Sequence, residues 1–71
     1  MITQIGIVAG EIWHFLDKQQ IVKLSDLFSN LDKPRDIILM SIGWLAREGH
    51  VVLEGEPPDY QVSLRKETKV E

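Results

Sequence analysis

After Gly49 the spacing of apolar residues along this chain changes from helical to strand-like. A chain patterned in this way must end in a sheet that packs on the helices before it. From Ile2 to Lys18, the residues Ile2, Ile5, Val8, Ala9, Ile12 and Leu16 form one helical stripe, with Glu11 and His14 opposite. Trp13 and Phe15 flank the stripe and Ile7 lies well outside it, so this helix has more apolar surface than one core contact needs. Gln19-Gln20 ends the pattern, and Ile21-Val22-Lys23 is a short β-prone piece. Ser25 is the expected N-cap of a second helix that runs through Asn30, and Asp32 the expected N-cap of a third, with Pro34 in its first turn. The third helix should reach about Glu48, where Gly49 suits a left-handed terminator. Val51-Val52-Leu53 and Tyr60-Gln61-Val62-Ser63-Leu64 then read as strands, and the glycine and two prolines of Glu54 to Asp59 demand a loop between them.

The order is therefore helix, strand, helix, helix, strand, strand. This predicts an α+β fold of the winged helix-turn-helix type, with three helices and a small two- to three-stranded antiparallel sheet whose third strand is Ile21–Lys23. Residues 1–64 are expected to form the domain and 65–71 a charged, disordered tail. A chain of 71 residues has no room for a second core and buries only roughly 60% of its unfolded surface. It contains no cysteine, so packing must stabilise it without disulfides or thiolate-bound metal, with dimerisation as a further source. The longest apolar run, Ile37 to Met40, is far too short to cross a bilayer, and Met1-Ile2-Thr3-Gln4 lacks the basic start of a secretion signal. A cytoplasmic setting is expected.

Three segments carry a family likeness. Gly43-Trp44-Leu45-Ala46-Arg47-Glu48-Gly49-His50-Val51, with Ile5-Gly6-Ile7-Val8-Ala9-Gly10-Glu11-Ile12-Trp13 before it and Tyr60 to Leu64 after it, resembles a bacterial family of small winged helix-turn-helix domains of unassigned function. The likeness runs from about Ile5 to Leu64, and its G-W-L-A-R-E-G and A-G-x-[IV]-W motifs are quite specific. It implies the fold and no ligand. The wing departs from the expected charged turn, having Glu56-Pro57-Pro58-Asp59 instead.

Counted back from Gly49, Leu45, Ile42 and Ile38 share one arc and should face the core, leaving Arg35, Asp36, Leu39, Met40 and Gly43 outward. That outward face is poor for reading bases, because Arg35 alone offers the donors that base edges accept and Asp36 repels phosphate. Glu54, Glu56 and Asp59 put negative charge on the wing, and eight basic against eleven acidic residues give a net charge of −3, the wrong sign for general attraction to phosphates. If Lys23, Lys33 and Arg35 converge, about three phosphate contacts can form, enough for weak, nonspecific affinity; otherwise these cations belong to a solvated mixed-charge surface. Leu39 and Met40, with Ile7 on the first helix, are the candidates for a protein interface, although Leu39 and Met40 serve equally well as extra core. Trp44 is expected to fold back against the first helix or the hairpin.

No catalytic, cofactor or metal site is expected. Glu11 and His14 have a ligand spacing but no second pair, and no cysteine supports His14 and His50. None of Ser25, Ser29, Ser41 and Ser63 sits in a nucleophile elbow. Gly6 and Gly10 lack the lysine and hydroxyl of a phosphate loop and are expected to permit close helix packing. The sequence thus points to a non-enzymatic binding module without a small-molecule substrate. Nucleic acid is its conventional partner, and protein, including a second copy, the rival.

Overall fold

A computed structural model describes residues 1–65; of the expected tail, residues 66–71 lie outside the described residues. The elements are α1 (Ile2–Gln19), β1 (Ile21–Lys23), α2 (Leu24–Asn30), α3 (Arg35–Arg47), β2 (Val51–Glu54) and β3 (Gln61–Leu64). The strands form one antiparallel sheet in the order β1-β3-β2. Three helices and a three-stranded antiparallel sheet in this order make the winged helix that the sequence predicts. Among the described residues, no helix is long and apolar enough to cross a membrane.

The core forms where the helical stripes meet the inner face of the sheet. Val8, Ala9, Ile12 and Leu16 of α1 pack with Ile37, Ile38, Ile42 and Leu45 of α3, and Leu27, Val22, Val51 and Val62 close the cluster. Strand register explains the last three: Val22 stands opposite Val62 and Val51 opposite Leu64, so these side chains share one face. Ile12, Leu16, Leu27, Ile38 and Val62 are fully enclosed. The predicted inward set of α3 is inward, and Arg35, Asp36, Leu39, Met40 and Gly43 are exposed.

Where α1 meets α3, Ser41 is completely buried. Its Oγ donates to Ile37 O at 2.7 Å and lies 3.2 Å from Ile5 O on the facing helix. A small residue that satisfies its own hydroxyl lets the two helices approach here, where a larger side chain would hold them apart.

The helix ends differ in part from expectation. Gly49 does terminate α3, at φ +81: its N–H donates to Ala46 O and that of His50 to Leu45 O, the paired bonds of a Schellman turn. Ser25, however, lies inside α2, and the cap position is the extended Lys23, whose N–H donates to Asp26 Oδ2 at 3.0 Å. Asp32 is not the cap of α3 either. Pro34 occupies that position, and its carbonyl accepts the first helical bond from Ile38. Proline's fixed φ leaves the chain extended just before the helix begins. At the end of α1, Gln20 takes φ 75 and ψ −74, a γ-turn geometry that residues with a side chain adopt only under constraint. Ile2 begins the predicted stripe yet is 84% exposed.

Leu45→Ala should destabilise the fold by about 2 to 5 kcal/mol in chemical denaturation, since the enclosing helices cannot collapse onto the void. Gln20→Gly should stabilise it by about 1 kcal/mol in the same assay, by relieving the left-handed backbone. An unchanged midpoint would contradict the described α1–β1 junction.

Candidate macromolecular interface

Helix α3 presents Leu39, Met40 and Trp44 to solvent at 45%, 40% and 47% exposure. Trp44 therefore does not enlarge the core, contrary to its expected position. It rests on the rim of a shallow depression with Ile2, Ile5 and Gly6 of α1, where the glycine offers no side chain to cover the ring.

Lys23, Lys33 and Arg35 are held by different parts of the fold. Lys23 sits on β1 at the entrance to α2. Lys33 Nζ lies 3.6 Å from Glu11 Oε2 on α1, an exposed pair of small energetic worth that nonetheless draws the ammonium towards that helix. Arg35 instead places its guanidinium 4.5 Å from the centre of the Phe28 ring, joining the first turn of α3 to α2 through a cation–π contact. Two of the three cations thus already have an internal partner.

The apolar candidates divide in the same way. Leu39 contributes to a groove of about 540 Å³ between α2, α3 and the wing, whose other walls are Leu24, Ser25, Phe28, Arg35, Pro58 and Asp59. Ile7 belongs to another depression, beside Val8, Lys33, Pro34 and Ile37. Arg35 accompanies Leu39, and Lys33 accompanies Ile7. Met40 is exposed on the next position of α3, about 100° around the helix from Leu39.

Two wing carboxylates, those of Glu54 and Glu56, are exposed. The third turns back into the fold: Asp59 accepts the backbone N–H of Ser25 at Oδ1, 2.9 Å, and the Ser25 hydroxyl at Oδ2, 3.0 Å. A carboxylate here satisfies an orphan amide in the first turn of α2 and meets the positive end of that helix. The strand register accounts for the pairing. Lys23 opposes Gln61, and the Leu24 N–H donates to Tyr60 O at 2.8 Å, so the next residues in line are Ser25 and Asp59. This clip spans 34 positions of sequence and becomes legible only once β1 is aligned with β3.

Among the described residues, no group of three histidine or carboxylate side chains stands together to hold a metal. Glu11 faces Lys33, and His14 packs edge-on against the Trp13 ring with centroids 5.6 Å apart. Ser25 has a carboxylate partner but no histidine, and Ser41 is sealed in the core.

A family model described as Winged helix-turn-helix domain (DUF2582) matches residues 1–66. The chain belongs to this family, whose function is unassigned. Comparison with curated proteins and with solved structures found no match.

Replacing Asp59 with alanine should lower stability by about 1 kcal/mol, and the largest amide shift changes should fall at Ser25 in α2. A variant that leaves the Ser25 amide unmoved would refute the clip.

Proposed function

We propose that this winged helix-turn-helix chain is a non-enzymatic binding module whose third helix docks a protein partner and does not read DNA bases. The observation that carries this reading is the chemistry of the outward face of α3. Leu39, Met40 and Gly43 are exposed with Asp36 beside them, while Arg35 is stacked on Phe28. Base edges are read by arginine, lysine, asparagine and glutamine, and a face of leucine, methionine and glycine offers none of their hydrogen bonds. An apolar patch with one arginine at its rim is instead the usual composition of a protein contact. The groove from Leu39 to Leu24 and Pro58 suits a partner segment with an apolar side chain followed by an acidic one, which Arg35 would meet. Ile7, in its separate depression beside Lys33, would extend the contact only for a partner that wraps the start of α3. A reducing cytoplasm is a compatible setting for such a chain, which has no cysteine to oxidise.

Nucleic acid is a second reading. It draws on the family's fold and on Arg35 in the N-terminal turn of α3 with Lys33 just before it, the end by which recognition helices meet DNA, and on Lys23 just before α2. Three cations opposed by Glu54 and Glu56 would support only weak, nonspecific binding.

Titration with mixed-sequence duplex DNA at low salt, followed through backbone amide shifts, separates the two. The expected result is no saturable movement at Lys23, Lys33 or Arg35. Joint, saturable shifts at those residues would overturn the protein reading in favour of nucleic acid. Peptides selected from a displayed library on the wild-type chain should lose binding at least about tenfold to Leu39→Asp, whereas peptides indifferent to that change would place the contact elsewhere.

A further inference from the structure

One apolar face remains unclaimed by the core and by the groove on α3. At 3.6 residues per turn, Ile2, Gly6 and Trp13 fall within about 40° of each other around α1, with Gly10 beside them. Trp44 of α3 adjoins the same strip through Ile2 and Gly6. Ile2 is 84% and Trp13 39% exposed. A Cβ at Gly6 or Gly10 would meet no atom within 4 Å, so the close packing expected of these glycines is not made among the described residues. Glycine in a helix interior is unfavourable unless something must come near the backbone.

We propose that a second copy of this chain covers the face, with the two α1 helices packed antiparallel across Gly6 and Gly10. The strip is self-complementary. Its bulky residues, Ile2 and Trp13, stand at the ends and its glycines near the middle, and the centres of both pairs fall at positions 7–8. A two-fold axis there sets Ile2 of each copy towards Trp13 of the other and lays glycine backbone against glycine backbone, as an isologous contact requires.

Charge also favours a like partner. No ionisable side chain occurs from Ile2 to Gly10, and Glu11 is turned towards Lys33, so the strip is uncharged from Ile2 to Trp13; Asp17, one turn beyond on the same arc, is the first charge it meets. With about 250 Å² for a whole tryptophan, the two rings, Ile2 and the glycine backbone between them expose on the order of 500 Å². That is about a tenth of the 5066 Å² surface of the described residues, and full coverage on both copies buries at most about 1,000 Å², the lower bound for a specific dimer.

Sedimentation equilibrium of the full chain from micromolar to millimolar concentration tests this directly. The mass should rise towards twice 8.1 kDa. The double substitution Gly6→Ala and Gly10→Ala should raise the dissociation constant at least about tenfold, with monomer amide shifts unchanged outside α1, because both methyl groups enter empty space. Trp13→Gln should act in the same direction, and Leu39→Ser should leave the constant unchanged, which keeps the dimer distinct from the α3 contact. A monomeric mass at millimolar concentration would overturn the proposal, as would a dimer that ignores both glycines or one that dissociates with Leu39→Ser.

Discussion

The antiparallel pairing of β1 with β3 is the constraint on which the rest of this structure depends. Only three residues of β1 take part, yet they join the chain at Ile21–Lys23 to its far end at Gln61–Ser63. That pairing sets Val22 against Val62 under the helices and makes β3 the central strand. It also carries the entrance of α2 to the wing through the Leu24–Tyr60 bond and the Ser25–Asp59 clip. Without it, β2 and β3 would be a two-stranded hairpin held only by its packing against the helices.

Local pattern made most of the architecture legible. The repeat of Ile38, Ile42 and Leu45 places the inner face of α3 with no knowledge of its neighbours, and Gly49 marks the end of that helix because few other residues adopt its backbone. What escaped the sequence depends on contacts distant along the chain. Trp44 sits at the margin of its helical face, where burial is decided by what stands opposite, and opposite it stands Gly6. Asp59 reads as one more wing charge until register brings it to Ser25. Asp32 and Ser25 have the chemistry of helix caps, but the chain reaches its extended cap conformations at Pro34 and Lys23 instead.

Of the candidate interface, the sequence indicates correctly which residues of α3 look outward, and it does not indicate their company. Cations that look free in the sequence are engaged at home: Lys33 leans on Glu11 and Arg35 lies over Phe28. Because Arg35 is exposed while still held by the ring, it can meet a carboxylate with little further loss of side-chain freedom. The same contact ties α2 to α3 across a four-residue connection, Leu31 to Pro34.

The Asp59 clip also bears on the thermodynamics of recognition. A wing tethered only at its two strands would sample many arrangements, and any partner that touched it would have to select one of them. Here the base of the loop is fastened to a helix on the other side of the groove, so the groove's two walls are set before anything arrives. The ordering entropy has already been spent in folding, and an incoming chain meets a mould and not a hinge.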